Sequence, residues 1–437
     1  MLDPRAAIAR KRDGYPLTRG EMEEFLGAAL RGEVPDYQVS AWLMAVCCRG
    51  MTVAETVDLT DVLAESGQRL DLSRFGRMAV DKHSTGGVGD KITLVAAPLA
   101  AACGLVVGKM SGRSLGHTGG TIDKLESIRG FRTSLDPDDF QRQLDRIGLA
   151  IAGQGSALAP LDGLLYALRD ATATVPSQPL IASSIMSKKI AGGASAICLD
   201  VKVGRGALMQ SLDDARQLAR TMVNIGSGLG RRIVALVTDM DAPLGHAIGN
   251  ALEVGEAVDT LAGRGPDDVR ELSLRIVAEL LVLAGAEPDL RGGTARANEA
   301  LRAGSGLEKL REMVAAQGGD PRQIDDPREL PRAPLAAELP APHAGYLRSI
   351  DTARLGSLAM DLGGGRREKG DAIDHRVGLV ILPRVGDLVR AGEPLAIVHC
   401  RDRSQLEGLD RDLLAAFTWS DLPSPRTQLV REVVRTG

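Results

Sequence analysis

The residues with the most capacity for chemistry lie between Asp81 and Ser127, in the run DKHSTGGVGDKITLVAAPLAAACGLVVGKMSGRSLGHTGGTIDKLES. Lys82, His83, Ser84 and Thr85 stand directly before Gly86, Gly87 and Gly89, so cationic, hydroxyl and bare backbone donors share one turn. After an apolar run the mixture recurs as Lys109, Ser111, Arg113, Ser114, His117, Thr118, Gly119, Gly120 and Thr121. Glycine lets backbone N–H groups approach a ligand because no Cβ intervenes, while hydroxyls add neutral donors and lysine adds charge. One such loop reads equally well as an ordinary turn. Two of them, separated by a short apolar segment, read as two walls of an anion pocket. A P-loop is excluded, because it needs Gly-Lys-Ser/Thr and here Asp90 follows Gly89. No GxGxxG opens a helix in this stretch, which speaks against a dinucleotide site.

A second polar cluster lies downstream. LYALRDATATV and ASSIMSKKIAGG, within 158–193, have helical character and carry Arg169, Asp170, Ser183, Ser184, Lys188 and Lys189. Taken alone, Lys188 and Lys189 read as a solvated helix face.

The elements that must position these residues follow from periodicity. Residues 1–70 read as helices: Thr18 with Glu21 forms a capping box ahead of Met22, Phe25, Leu26 and Leu30, and 38–51 and 53–66 continue the pattern. The stripe Trp42, Leu43, Met44 and Val46 reads as core or oligomer interface. From residue 78 short apolar runs (78–80, 105–110, 194–203, 232–238) alternate with helices (92–103, 136–147, 211–225, and within 247–264 and 266–285). This pattern predicts an α/β fold with a mostly parallel central sheet. Both glycine-rich loops follow predicted strands, where ligands of such sheets bind. The chain then divides into a discontinuous all-α domain (1–68 with 158–193), an α/β domain (72–157 with 194–335) and a β-rich, α+β C-terminal region (344–437), with the site in the cleft between domains. Six prolines within 317–343 read as a surface linker. GGGRR at 363–367 reads as a structural turn beside surface arginines, with a second anion site as the alternative.

Composition narrows the function classes. Aromatic residues make up 3% of the chain and the formal net charge is −4, which argues against a stacking surface for single-stranded nucleic acid and against a general attraction to nucleic acid or anionic membrane. The five cysteines (47, 48, 103, 198 and 400) include no CxxC, which suggests a reducing compartment and no structural zinc. The N-terminus has no uninterrupted apolar signal core, and Pro98 and Gly104 break the most apolar stretch before it reaches membrane-spanning length. The expectation is a cytoplasmic protein.

In chain order, DKHSTGGVGDK (81–91), SGRSLGHTGGTIDKLES (111–127), YALRDATATV (166–175), SKKIAGG (187–193), LDVKVGRGA (199–207), GNALEV (249–254) and MDLGGGRR (360–367) resemble the motifs of the thymidine and pyrimidine-nucleoside phosphorylases. The resemblance covers essentially the whole chain. It implies a homodimer with a helical domain, a larger α/β domain and a cleft between them. The implied reaction is phosphorolysis of a pyrimidine (deoxy)nucleoside, foremost thymidine, to free base and (deoxy)ribose 1-phosphate in pyrimidine salvage or catabolism. A broader specificity that includes uridine is the alternative. By the same resemblance, Lys82, Ser84, Thr93, Lys109, Met110, Ser111 and Thr121 fall on phosphate-binding positions. Arg169, Ser184 and Lys188 fall on pyrimidine-binding positions, and His83, Arg169 and Lys188 form the catalytic set.

Two departures stand out. Some members bind potassium at positions corresponding to Gly89, Lys91, Leu244, Ala247 and Glu256, but Lys91 stands where those members carry a small hydroxyl residue. The expectation is that the Lys91 ammonium replaces the ion and pairs with Glu256, so that no metal or cofactor is needed beyond phosphate as co-substrate. Ser114 replaces the glycine usual in SGRGLG. An anthranilate-type phosphoribosyltransferase is the more distant alternative. It is disfavoured because its magnesium calls for acidic residues, and Asp90 and Asp200 form no acidic pair in sequence. A non-enzymatic nucleotide-binding protein predicts a broken catalytic set, whereas Lys82, His83, Arg169, Ser184 and Lys188 are all present.

Overall fold

The computed structural model describes residues 3–113, 119–155, 157–368 and 370–436. Ser114, His117 and Thr118 lie outside the described residues.

The chain opens with four helices, α1 (Pro4–Arg12), α2 (Arg19–Leu30), α3 (Asp36–Arg49) and α4 (Val53–Glu65). The capping box at Thr18 is formed in both directions, and Thr52 with Glu55 repeats it at the start of α4. Glu55 also accepts from the buried Lys11 ammonium at 2.9 and 3.0 Å, which ties α4 to α1. Met22, Phe25, Leu26, Trp42, Leu43 and Val46 pack into one core with Leu161, Leu165 and Leu180 from much later in the chain.

The next segment contains β1 (Ala79–Ser84), α5 (Ile92–Ala102), β2 (Val106–Ser111), α6 (Thr121–Leu125), α7 (Pro137–Ile147) and β3 (Leu149–Gly153). Two helices follow, α8 (Pro160–Ala171) and α9 (Gln178–Ala191), then β4 (Ala196–Val203), α10 (Leu212–Gly228), β5 (Arg232–Asp239) and the short β6 (Ala247–Ile248). The large sheet has the order β13-β5-β4-β1-β2-β3, where β13 is the last strand of the chain, Val430–Arg435. Its first five members in sequence are parallel, and β13 closes the edge antiparallel to β5. β1 is therefore central, with Ser84 opposite Asp200 of β4. Helices α11 (Asn250–Leu261), α12 (Asp267–Ala284), α13 (Leu290–Arg302) and α14 (Ser305–Ala316) pack with α5 over one face of this sheet. Helix α9 divides its apolar side chains: Leu180 lies in the helical core, whereas Ile181, Ala182 and Met186 join the core beneath β4 and β5.

The proline-rich segment is more ordered than a surface linker. Gln317 is fully buried and donates to Arg132 O at 2.8 Å and Ile151 O at 2.9 Å. The segment goes on to form α15 (Arg322–Asp325) and β7 (Leu335–Pro340). Its prolines fall at helix starts, turns and the end of an edge strand, where a missing N–H leaves no ladder bond unmade. Beyond it come β8 (Gly345–Ile350), α16 (Thr352–Ala359), β9 (Gly378–Ile381), β10 (Leu388–Val389), β11 (Pro394–Cys400), α17 (Leu409–Leu414) and β12 (Phe417–Ser420). They build a three-stranded sheet, β10-β8-β12, and a four-stranded one, β6-β9-β11-β7. Through β6 the C-terminal region pairs directly with the chain segment that leads into α11.

Candidate functional site

The site gathers at the carboxyl ends of β1 and β2. Alternation along β1 sends Lys82 and Ser84 to one face and Asp81 and His83 to the other. On the first face, Lys82 is buried, with its Nζ 3.5 Å from Asp200 Oδ2 and 4.0 Å from Asp90 Oδ1. The two aspartates that form no pair in sequence thus converge on one ammonium. Asp200 also receives the Thr238 hydroxyl at 2.6 Å and pairs with Lys202 at 2.8 Å. Burial alone would raise the Asp90 carboxyl. Lys82, Lys202, Lys124 and the Ser84 hydroxyl outweigh it and hold Asp90 far below the ordinary carboxylate range. Ser84 accepts from Gly86 N at 3.2 Å while donating to Asp90. Asp90 Oδ1 in turn receives Ile92 N at 3.2 Å, at the N-terminus of α5 beside Thr93, where partial positive charge favours an anion.

On the second face, Lys109 Nζ donates to Lys82 O at 2.6 Å, which joins β2 to β1 just before each strand runs into its loop. Met110 and Ser111 follow on β2, and Thr121 begins α6. His83 Nε2 is buried and has no hydrogen-bond partner among the described residues. Burial, and then the ammonium groups of Lys189, Lys109, Lys82 and Lys188, push its imidazole well below the ordinary value.

The glycine-rich turn after β1 is pinned from behind. Gly89 has φ +73°, and a Cβ there would lie 2.6 Å from Leu244 O, so both conformation and space require glycine. Two residues on, the buried Lys91 ammonium donates to Leu244 O at 2.7 Å, to Ala247 O at 2.9 Å and to Glu256. Glu256 also accepts from His246 N at 2.8 Å and from Ala247 N at 3.2 Å.

The helical wall presents Arg169 on α8 with Ser184 and Lys188 on α9. Lys188 Nζ donates to Asp162 and, at 2.9 Å, to Ser184 O. Arg169 is buried and directs its N–H groups to Val175 O at 2.7 Å, Leu180 O at 3.1 Å and Thr174 O at 3.4 Å, which shapes the turn between α8 and α9. Lys189 does not belong to a solvated face. It is 2% exposed and donates to Asp81 Oδ2 at 2.8 Å and Met110 O at 3.1 Å. The GGGRR turn also differs from expectation. Arg367 is exposed and pairs with Asp361, whereas Arg366 turns inward and donates to Asp123 Oδ1 of α6 at 2.7 Å.

Comparison with known proteins agrees with this architecture. Residues 5–67 match the profile of a glycosyl transferase family helical bundle domain, 76–307 that of a glycosyl transferase family a/b domain, and 346–420 that of a pyrimidine nucleoside phosphorylase C-terminal domain. The pyrimidine-nucleoside phosphorylase of Geobacillus stearothermophilus is 47% identical over 427 residues, 98% of each chain. That of Bacillus subtilis is 49% identical over 392 residues, 90% of each chain. The chain belongs to the thymidine and pyrimidine-nucleoside phosphorylase family. The solved anthranilate phosphoribosyltransferase of Thermus thermophilus shares the fold at a TM-score of 0.60, with 20% identity over 71% of this chain and 99% of that one.

Sequence reasoning passed over Lys124 and Lys202, gave Asp81 no role, and read Lys189 as part of a solvated face. A signal was present in LDVKV, where Asp200 and Lys202 recur at i, i+2 inside an otherwise apolar strand. Charges on one face of a buried parallel strand must meet partners there. Because His83 is held well below its ordinary value, it is neutral across the physiological range. A ring-nitrogen NMR titration should show no protonation of His83 between about pH 6 and 8.

Proposed function

We propose that the protein catalyses phosphorolysis of pyrimidine (deoxy)nucleosides, with thymidine as the preferred substrate. The observation that carries the reading is the joining of β1 and β2 through Lys109 and Lys82 where they lead into hydroxyl-bearing loops, with Lys189 tying α9, which bears Ser184 and Lys188, to Asp81 and Met110 of the same strands. The relatives' names support phosphorolysis of pyrimidine nucleosides. Lys82, Ser84, Thr93, Lys109, Met110, Ser111 and Thr121 hold phosphate. Arg169, Ser184 and Lys188 hold the pyrimidine.

In the reaction an oxygen of hydrogen phosphate bonds to C1′ while the C1′–N1 electron pair leaves with the base, and the proton that phosphate gives up in forming the ester ends on the base. The sugar passes through oxocarbenium character that the adjacent phosphate dianion stabilises. Lys188, Arg169 and the neutral His83 donate hydrogen bonds to the departing pyrimidine, a preorganised complement of the kind that supplies several kcal/mol. Free thiols at the described cysteines accord with a reducing cytoplasm.

Incubation with thymidine, uridine or deoxyuridine, with and without inorganic phosphate, should give base release only with phosphate and fastest from thymidine. A faster uridine reaction would support the broader specificity instead, and no release from any of the three would overturn the reading.

The residues at the potassium positions do not fit that ion, because the Lys91 ammonium already takes the oxygens of Leu244, Ala247 and Glu256, and two cations at that distance repel. Replacing KCl by NaCl at constant ionic strength should leave the rate unchanged; a rate that falls in NaCl would contradict this assignment.

The active form is a homodimer. Tyr37, Ala41, Met44 and Cys48 form an exposed apolar stripe on α3, opposite the stripe that packs inward, and a second copy would cover it. Sedimentation should give the mass of two chains, with Met44→Glu reducing it to one.

A further inference from the structure

Asp81 has no part in the reading above, yet it lies at the junction of both walls. Its Oδ2 accepts from Lys189 of α9 at 2.8 Å. Its Oδ1 lies 3.8 Å from Lys109 Nζ of β2 and has no hydrogen bond among the described residues. All three side chains are nearly inaccessible, at 2–4% exposure. Lys189 also reaches Met110 O at 3.1 Å, one residue beyond Lys109. Its neighbour on α9, Lys188, points instead to Asp162 and Ser184. One carboxylate therefore touches the lysine of the phosphate wall and the helix that carries the nucleoside wall.

We propose that Asp81 is a positioning residue that keeps Lys109 charged and aimed at phosphate and, through Lys189, sets the distance of α9 from the phosphate wall. This rests on the phosphorolysis reading. The groups facing Lys109 act in opposite directions. Burial, and then Lys189 and Lys82, favour its neutral form, whereas Asp81 and Asp90 favour the ammonium, and the balance brings Lys109 down to about 7. Removing the Asp81 charge must lower Lys109 further, so that phosphate affinity is lost at lower pH. Removing the Lys189 charge must raise it, so that affinity persists to higher pH. Cutting the Lys189 anchor also loosens α9 and weakens nucleoside binding.

The experiment compares wild type, Asp81→Asn and Lys189→Met in phosphate titrations followed by calorimetry from about pH 6 to 9, with KM and kcat for thymidine measured alongside and thermal melting as a check on folding. The expected result is that the alkaline limit of phosphate binding moves down by about one pH unit in Asp81→Asn, with about tenfold weaker phosphate binding above it. In Lys189→Met the limit moves up, and the KM for thymidine rises more than kcat falls. Limits that stay at the wild-type value, or that move in the same direction in both variants, overturn the proposal, because a purely structural role does not separate them by sign. Should Asp81→Asn fail to fold, Asp81→Glu, which keeps the charge but lengthens the side chain, should leave the alkaline limit in place while raising the KM for thymidine, and a limit that moves overturns the proposal. Wild-type protein that binds phosphate with the expected alkaline limit but releases no base would instead refute the phosphorolysis reading and leave the role of Asp81 in holding Lys109 standing.

Discussion

Everything in this site depends on the burial of ammonium groups along β1. Lys82, Lys109, Lys189 and Lys202 are inaccessible to solvent and share the carboxylates of Asp81, Asp90 and Asp200. Desolvating an ammonium costs several kcal/mol even after relaxation, so each must find oxygens with good geometry or be driven neutral. The central place of β1 in the sheet makes this feasible. Strands and helices surround it, and its alternation splits the cluster into a Lys82 side fixed by Asp90 and Asp200 and an Asp81 side fixed by Lys109 and Lys189. Loss of one carboxylate would leave a buried cation uncompensated, so the charges fix the relative placement of β1, β2, β4 and α9.

The same device recurs at longer range. Three buried or half-buried cations tie regions distant in sequence to the loops: Lys91 reaches the 244–247 segment, Arg366 reaches Asp123 at the start of α6, and Lys189 joins α9 to β1. Each ends on carbonyl or carboxylate oxygens, where charge-assisted hydrogen bonds are short and directional. The C-terminal region is thereby connected to both loops, through β6 and Lys91 on one side and Arg366 on the other. Helix α9 is held in two cores at once, by Leu180 on the helical side and by Met186 on the sheet side. A rotation of the helical part about the sheet must therefore either carry α9 along or bend next to it.

How much of this the sequence disclosed depended on range. The glycine-rich loops, the capping box at Thr18 and the strand–helix alternation were legible because turn chemistry, capping and periodicity act over a few residues. The parallel sheet and the β-rich C-terminal region followed from them. The partners of the buried lysines were not legible: Asp81 and Lys189 are 108 residues apart, and Lys91 and Glu256 are 165 apart, so no local pattern announces the pairing. Lys189 looked like a surface residue because its neighbour Lys188, one helical step away, faces a different wall. The proline-rich segment was misjudged because composition reports the prolines and not where they sit; at helix starts and an edge strand they cost no hydrogen bond.

The cluster also divides the electrostatic work. Around β1 the lysines Lys82, Lys109, Lys189 and Lys202 face the carboxylates of Asp81, Asp90 and Asp200, with Lys109 brought down to about 7. Burial, and then the charges of Lys189, Lys109, Lys82 and Lys188, hold the His83 imidazole well below its ordinary value. A neutral imidazole cannot compete with the lysines for an anion, but it can exchange hydrogen bonds with a heterocycle whose charge develops only as a bond breaks. The lysines, fixed before any ligand arrives, offer a dianion a field that needs no reorganisation, which is where preorganised charge contributes most to lowering a barrier. The lysines that meet the phosphate and the neutral ring of His83 beside them therefore share a single cause, the burial of β1 among lysines.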